Sequence, residues 1–392
     1  MVHTFVVDGK FKEHVRNMLT LRYDPMEPSH IPKLKPRDWV PAIYETTALS
    51  LENKLFVSLA RLKDIDHIGI GLSSGIDSVL LLCLIREIYP DKKITAIHYK
   101  GINDEVSEAE QYAKAYGAEF VTIQKDSILD IIDWQVSIFK DMIWDGFDYM
   151  LFQTARQQHC QVLVDGTGAD ELFAGYMFRY LNFMPQSNSI EDKANAYLQV
   201  HNRDWVEDQA NMFGPELKFE WTMILEHIMP NFGNTLPNLQ QVFMADYNGK
   251  LSRLFTKKQR AFSRVYDMPV FSPYLDPLII EYGAHLDYHL KIYGEVGKMP
   301  LRQIAARHDL IVTPKKYGFS HDVVKDWNGP HHDEAHEDLT DPNCQMFSKG
   351  LISYDWVKRT ANDDKSRFDV RYCNKFMQLM SLEDYLRHLE FT

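Results

Sequence analysis

An α/β fold, built on a parallel sheet flanked by helices, is predicted by three features of the 392-residue sequence. Short apolar runs of strand length alternate with helical segments between residues 65 and 166. The connections between them are short, and the chain beyond residue 176 is mainly helical in pattern. Strands joined through helices pair in parallel with right-handed crossovers, so we expect a parallel sheet followed by a largely helical C-terminal part.

The predicted elements of the sheet region alternate between the two periodicities. Leucines at helical spacing open the region, and each later strand ends in glycine or polar residues. In chain order they are a helix over 44–62, a strand over 65–72, a helix over 79–89, a strand over 94–100, a helix over 107–116, a strand over 118–123, a helix over 149–159 and a strand over 161–166.

This pattern divides the chain into three parts. Residues 1–43 hold a short apolar start and then closely spaced prolines, which break helices and strand ladders, so we expect an extended arm or linker. Residues 44–185 form the predicted α/β core, and residues 186–392 form the mainly helical part. Within that part the polar run 331–341 predicts a mobile loop.

Composition narrows the class of protein. The net charge of −12 and the pI near 5.7 give no general reason to expect a nucleic-acid partner. Four scattered cysteines form neither a disulfide framework nor a metal-binding pair, which favours a reducing compartment. The sequence shows neither a signal peptide nor about 18 consecutive apolar residues, so we expect a cytoplasmic protein without a membrane span.

The first polar loop follows the strand over 65–72. It contains Ser73, Ser74, Gly75, Asp77 and Ser78, and it leads directly into a helix. Backbone N–H groups and small hydroxyls that converge on a helix N-terminus suit a phosphate oxyanion. A plain strand-to-helix turn with a capping residue is the alternative. The Walker A pattern is absent, which argues against transfer of a γ-phosphate by a P-loop protein.

A second glycine-rich loop, residues 166–171, follows the last predicted strand. Both loops therefore lie at the carboxyl ends of predicted parallel strands, where open α/β sheets bind ligands. Asp170 and Glu171 in this loop have a structural alternative, because acidic residues also favour the first turn of a helix.

Both loops carry a resemblance to a known family. SSGIDS (73–78) resembles the S-G-G-x-D-S loop of the N-type ATP pyrophosphatases, which have an adenine nucleotide alpha hydrolase-like fold. VDGTGADELFAGY (164–176) resembles the G-E-G-[AS]-D-E-x-F-G-G-Y signature of asparagine synthetases. SPYLDPLIIEY (272–282), GKMPLRQIA (297–305) and PKKYGFS (314–320) are similar to further segments of that family, so the resemblance spans roughly residues 50–392.

The resemblance implies that ATP is cleaved to AMP and pyrophosphate while a carboxylate is activated. It implies that Asp77 and Asp170 hold Mg²⁺, which prefers oxygen ligands. Lys316 would stabilise charge at the α-phosphate and the leaving pyrophosphate, and Lys298 would be a second basic contact. Without the family motifs around them, the alternative for Lys316 or Lys298 is a solvated surface charge.

The resemblance also implies which residues contact the nucleotide. Asp165 and Gly166 would lie along the AMP moiety, and the residues from His98 to Gly101 would contact adenine or ribose.

The chain departs from the family pattern at three positions. Ser74 stands where the family has its first glycine, so the backbone there must avoid positive φ. Val2 stands where most asparagine synthetases have a cysteine nucleophile, so we expect the nitrogen to come from free ammonia, a separate glutaminase subunit or an amine. Thr167 stands where the family has a glutamate, and threonine cannot act as a carboxylate base.

These departures leave several functions open. The leading one is an ATP-dependent, AMP-forming carbon–nitrogen ligase that acts on a small carboxylate, with aspartate as the leading substrate. Intramolecular amide formation, as in β-lactam synthetases or lasso-peptide cyclases, and amidation of a specialised acid are alternatives. Two further alternatives are a tRNA or nucleobase thiolase and a non-catalytic ATP-binding subunit. The oligomeric state is not readable from one sequence.

Overall fold

A parallel sheet of five strands forms the centre of the described part of the molecule. The computed structural model describes residues 7–44, 48–100, 106–124, 126–183, 189–312 and 322–390. The strands are β1 (His67–Gly71), β2 (Lys93–Lys100), β3 (Glu119–Gln124), β4 (Val162–Val164) and β5 (Val270–Phe271), and their spatial order is β3-β2-β1-β4-β5.

The predicted parallel α/β fold is confirmed, and so are the four strands that the sequence indicated. β5 was missed because it contains two residues and pairs with β4 only through Leu163 with Val270 and Val164 with Phe271. β2 is buried at six consecutive positions, as expected for a strand covered on both faces of a parallel sheet.

The strand order reverses between β1 and β4. The chain runs outward from β1 through β2 to β3 and then returns to the other side of β1, where β4 pairs with it through Ile70 and Val164. Such a switch point opens a crevice at the carboxyl ends of the two central strands. The two glycine-rich loops follow these two strands, so the topology brings them together.

Helices make up most of the remaining described chain. In order they are α1 (Gly9–Leu21), α2 (Ala48–Leu59), α3 (Ile76–Ile88), α4 (Val106–Ala115), α5 (Ile132–Phe139), α6 (Tyr149–Gln157), α7 (Ala169–Phe173), α8 (Met177–Phe183), α9 (Ile190–Gln199), α10 (Gln209–Met212), α11 (Trp221–Ile228), α12 (Asn238–Asp246), α13 (Thr256–Val265), α14 (Pro277–His285), α15 (Tyr288–Lys291), α16 (Met299–Arg307), α17 (Val323–Trp327), α18 (His332–Thr340), α19 (Gln345–Ser348), α20 (Tyr354–Ala361), α21 (Asp364–Arg367) and α22 (Val370–Glu390).

Shorter turns connect these helices. They are 3₁₀ segments at Pro36–Trp39, Ala60–Leu62, Met229–Asn231 and Pro273–Leu275, and a π-helical segment at Tyr247–Phe255 that joins α12 to α13.

The N-terminal stretch is not wholly extended, which corrects the expectation of an arm. Asp8 caps α1 by accepting a hydrogen bond from the N–H of Phe11 at 2.9 Å, and the helix buries Val15 and Leu19. α1 packs against α11 and α22. The apolar residues at positions 11, 15, 18 and 19 have helical spacing, whereas the closely spaced prolines that follow are typical of an extended segment. The division of the chain at residues 43 and 185 stays a prediction.

The polar run 331–341 is helical rather than a loop, so that prediction is wrong. α18 covers most of it and buries Ala335 and Leu339, which are four residues apart and therefore lie on one helix face. Two apolar residues among many charged ones are enough to seat this helix against α20 and α22.

α22 is the longest described helix and lies near the C-terminus. It packs against α5, α17 and α19. Among the described residues, no helix combines the length and the apolar character that crossing a bilayer requires.

Candidate active site

The loop after β1 is closed by its own serines. The N–H of Ser73 donates to Oγ of Ser78 at 3.0 Å, and the N–H of Gly75 donates to Oγ of Ser73 at 3.1 Å. Gly75 is the N-cap of the 13-residue helix α3, so the loop runs straight into a helix N-terminus. This is the arrangement that favours a phosphate group.

Ser74 and Asp77 are the two residues of this loop for which the sequence made specific predictions. Ser74 is 3% exposed and is not among the described non-glycine residues with positive φ, so the serine fits where the family has glycine. Asp77 lies in the first turn of α3, and its carbonyl oxygen accepts a hydrogen bond from the hydroxyl of Tyr274 at 3.1 Å.

The loop after β4 lies directly beside the first loop. A Cβ atom at Gly166 would be 3.0 Å from Cβ of Asp77, so the backbone at 166 needs glycine for this approach. Gly168 has a φ of +94° and precedes α7, and a Cβ there would be 2.5 Å from the side chain of Leu275. Both glycines therefore keep the second loop close to the first.

Lys298 joins the two loops. Its Nζ lies 2.5 Å from Oδ2 of Asp77 and 2.5 Å from Oδ1 of Asp170, and its side chain is 6% exposed. The residue has a left-handed backbone, with a φ of 59°, and its N–H donates to the carbonyl of Phe173 at 2.9 Å. Burial acts to lower the pKa of Lys298, but the charges of Asp170 and Asp77 outweigh it and hold the pKa above its usual value.

Asp77 and Asp170 therefore converge on one position that a cation can fill. Their side chains remain 20% and 21% exposed, and their oxygens are the ligand type that Mg²⁺ prefers. The residues fit a divalent cation in donor chemistry and in convergence, with the Lys298 ammonium as the positive charge that now lies between them.

Asp165 forms a separate polar group with residues from distant parts of the chain. Its carboxylate accepts hydrogen bonds from the hydroxyl of Ser272 at 2.6 Å, from the N–H of Thr167 at 3.1 Å and from the side-chain amide of Gln259. Gln259 also donates to Oγ1 of Thr167 at 2.8 Å. Burial raises the pKa of Asp165, and these hydrogen bonds only partly oppose the rise.

Glu171 lies on α7 and has a different hydrogen-bond partner. It is 3% exposed and accepts a hydrogen bond from the hydroxyl of Tyr176 at 2.8 Å. Burial, together with the negative charge of Asp170, raises the pKa of Glu171 to about 7. The guanidinium of Arg179 lies 4.1 Å from the centre of the Tyr176 ring and covers it.

The structure brings together most of the residues that the sequence singled out. Ser73, Ser74, Gly75, Asp77 and Ser78 meet Asp165, Gly166, Thr167 and Asp170 at one end of the sheet, together with Lys298. Their roles stay predictions. Lys316 and Gly101 lie outside the described residues. His98 is buried, with its Nδ1 hydrogen-bonded to the carbonyl of Leu72 at 2.8 Å.

Sequence reasoning assigned no role to Gln259, Ser272 or Tyr274. Ser272 and Tyr274 lie in the SPYLDP segment, which the family resemblance already marked. Gln259 lies on α13 in the helical part, where no pattern in the sequence distinguished it from other buried polar residues.

The fold and the two strand-end loops define an α/β protein with a serine-closed loop at a helix N-terminus beside a pair of carboxylates. The model of the asparagine synthase family matches residues 54–387, and the chain belongs to that family.

A curated relative and two solved structures are similar to the chain. "Asparagine synthetase [glutamine-hydrolyzing] 1" of Bacillus subtilis is 31% identical over 114 residues, which are 28% of this chain and 18% of the relative. The chain therefore matches less than a fifth of that relative's length.

The two structures share 14% identity with the chain. An NH3-dependent NAD synthetase from Campylobacter jejuni has a TM-score of 0.26 and covers 49% of this chain and 99% of its own. An NMN synthetase from Francisella tularensis has a TM-score of 0.25, with 57% and 94% covered. TM-scores this low carry no argument about function.

Proposed function

We propose that this protein is an ATP-dependent ligase that activates a carboxylate as an acyl-adenylate and transfers the acyl group to a nitrogen nucleophile. The observation that carries the proposal is the convergence of Asp77, Asp170 and Lys298 beside a serine-closed loop at a helix N-terminus. Such a site suits a polyphosphate, because it offers an oxyanion cradle, a buried ammonium and carboxylates for a divalent cation.

In the first step an oxygen of the substrate carboxylate attacks the α-phosphorus of ATP. A new O–P bond forms, the bond between the α-phosphorus and its bridging oxygen breaks, and pyrophosphate leaves with the electron pair. The loop 73–78 would hold the pyrophosphate, and Lys298 would turn from the carboxylates towards the phosphate oxygens.

A magnesium ion held by Asp77 and Asp170 would supply charge neutralisation for the triphosphate. Lys316 is proposed as a further ammonium at the α-phosphate, since a compact positive charge stabilises the charge that develops there. Asp165 and Gly166 are proposed to lie along the AMP.

In the second step a nitrogen nucleophile attacks the acyl carbon and displaces AMP. Free ammonia, ammonia from a separate glutaminase subunit, and an amine are the candidate donors. Aspartate is the leading acid, because the family is named for asparagine formation. Thr167, in place of the family glutamate, also favours an intramolecular amide or a specialised acid. We place the reaction in the cytoplasm, with no nucleic acid or membrane partner.

The test is an assay of nucleotide products. The protein is incubated with Mg·ATP and a panel of carboxylic acids that includes L-aspartate, with and without ammonium chloride. Mass spectrometry then quantifies AMP, ADP, pyrophosphate and any new amide. We expect AMP and pyrophosphate in equal amounts with one acid. Formation of ADP, or no turnover with any acid, would contradict the proposal.

A further inference from the structure

The second step of the proposed reaction needs a proton acceptor. When the C–N bond forms, the nitrogen becomes positively charged and must lose a proton, and a positioned base typically contributes about 10²- to 10⁴-fold to such a step. Thr167 cannot take this proton, because its hydroxyl is not a base at neutral pH. A carboxylate in one of the two loops is the next group to consider.

Two of these carboxylates already share a cation. Asp77 and Asp170 each lie 2.5 Å from the ammonium of Lys298, and a carboxylate beside a positive charge is a weaker proton acceptor. A third carboxylate, Glu171, is 3% exposed and is engaged by the hydroxyl of Tyr176.

Asp165 differs from these three. Its hydrogen bonds within the described residues come from neutral groups, namely the Ser272 hydroxyl, the Thr167 N–H and the Gln259 amide. Asp165 is half-buried, and it directly precedes Gly166, where an added Cβ atom would be 3.0 Å from Cβ of Asp77 in the loop 73–78. Among the described residues, Asp165 therefore combines partial exposure, nearness to the loop 73–78 and a negative charge that no cationic side chain pairs.

We propose that Asp165 is the catalytic base for the nitrogen nucleophile and that Gln259 and Ser272 position its carboxylate. This inference rests on the proposed function. As the nitrogen lone pair forms the C–N bond, the bond between the acyl carbon and the AMP oxygen breaks, and AMP leaves with those electrons. The proton lost by the nitrogen passes to an oxygen of Asp165.

The arrangement around Asp165 supports this role. Gln259 donates both to Asp165 and to Thr167, so one amide fixes the position of the carboxylate and of the hydroxyl beside it. Ser272 follows β5 directly and reaches Asp165 across the edge of the sheet. Burial raises the pKa of Asp165, which makes the carboxylate a better proton acceptor.

The experiment separates the two half-reactions in the full-length protein. ATP–pyrophosphate exchange measures adenylation, and amide formation with ammonium chloride measures the whole reaction, with L-aspartate or the acid of the panel that drives AMP release. The variant is Asp165→Asn, which keeps the size of the side chain. The matched control is Asp267→Asn, because the Asp267 side chain is 91% exposed.

Both rates are measured at saturating ATP, because Asp165 is also proposed to lie along the AMP. For Asp165→Asn we then expect the rate of amide formation to fall about 100-fold more than the rate of exchange, through the loss of a general base. Asp165→Glu should recover part of the amide rate, because it restores a carboxylate. Melting curves of both variants and of the control show whether the fold is retained.

The outcomes distinguish the inference from the proposed function. If the wild-type protein releases no AMP with any acid, the proposed ligase function and the role of Asp165 are both contradicted. If exchange occurs in the wild type but Asp165→Asn lowers exchange and amide formation equally, or lowers neither, the inference is overturned while the adenylating function stands. A selective loss of amide formation in Glu171→Gln, and not in Asp165→Asn, would assign the base to Glu171 instead.

Discussion

Two groups of buried charges in this molecule share residue types but differ in arrangement. The edge cluster consists of Asp77, Asp170 and Lys298 at the carboxyl end of the sheet. One ammonium lies between two carboxylates there, and the carboxylate side chains remain 20% and 21% exposed.

The inner cluster consists of His14, Asp24, Glu27, Asp141 and Lys257, and its Asp141 links His14 of α1 to Lys257 of α13. The ring of His14 lies 2.9 Å from Asp24 and 2.8 Å from Asp141, and Lys257 lies 2.5 Å from Asp141 and 2.9 Å from Glu27. At its centre one carboxylate, Asp141, lies between two cationic groups, and its side chain is 4% exposed.

The two clusters differ in which charge lies at the centre. The ammonium between two partly exposed carboxylates can be exchanged for another cation, whereas the buried Asp141 carboxylate is already paired with His14 and Lys257. We therefore expect changes in the edge cluster to alter activity and changes in the inner cluster to alter stability.

The largest expected effect comes from Asp77→Asn. The change removes one of the two carboxylates that are proposed to hold the divalent cation, so we expect acid-dependent AMP formation to fall by about 10³-fold. The fold should be kept, because Lys298 retains Asp170 as a partner. Product analysis measures the activity, and urea unfolding measures the stability.

The matched substitution in the inner cluster is Asp141→Asn. It leaves the charges of His14 and Lys257 without their shared partner, so we expect the free energy of unfolding to fall by about 3 kcal/mol. The specific activity of the folded fraction should not change. Equal losses of specific activity in Asp77→Asn and Asp141→Asn would contradict the different roles expected for the two clusters.

Lys298→Met tests whether the edge cluster accepts a divalent cation. Without the ammonium, Asp77 and Asp170 repel each other, and binding of Mg²⁺ would relieve the repulsion and stabilise the folded state by mass action. We expect millimolar MgCl₂ to raise the melting temperature of this variant more than that of the wild type. Lys298→Arg, which keeps the charge, serves as the control. An equal response in all three proteins would argue against cation binding by this carboxylate pair.

The inner cluster also predicts a pH dependence of stability. Burial acts to lower the pKa of His14, but its hydrogen bonds to Asp141 and Asp24 outweigh burial and raise the pKa from 6.5 to about 10. Because the folded-state pKa is the higher one, this stabilisation is complete below pH 6.5 and is lost as the pH rises to about 10. Urea unfolding across this range should show the decline, and His14→Gln should flatten it. A wild-type curve as flat as that of the variant would contradict the assignment.

The smallest expected effect comes from Gly166→Ala. The added Cβ would be 3.0 Å from Cβ of Asp77 and would push the two loops apart slightly, so we expect AMP formation to fall by about 10-fold. Gly9→Ala is the control, because a Cβ there meets no atom within 4 Å. Equal kinetics for the two variants would show that the loops tolerate separation.

The strand-end loops could be predicted from the sequence because their chemistry is local. The pattern around Ser73 to Ser78 indicated strand, turn and helix, and the pattern around Gly166 to Glu171 indicated a glycine-rich loop after a strand. The fold brings the two loops together at the switch point.

The partners of Asp165 could not be predicted in the same way. Gln259 and Ser272 are 94 and 107 residues distant from Asp165 in the chain, and β5, which delivers Ser272, contains two residues. Long-range contacts of this kind leave no local periodicity to read. α1 was missed for a different reason, because its apolar residues do have helical spacing but the closely spaced prolines that follow favoured an extended arm.

The most direct measurement follows oxygen from the acid into the nucleotide. The acid that drives AMP release is prepared with ¹⁸O in its carboxylate, and the products of one turnover with Mg·ATP and ammonium chloride are analysed by mass spectrometry. Acyl-adenylate formation predicts one ¹⁸O atom in AMP, because the attacking carboxylate oxygen stays on the α-phosphorus when the amide forms. AMP without the label, or label in inorganic phosphate alongside ADP, would contradict it.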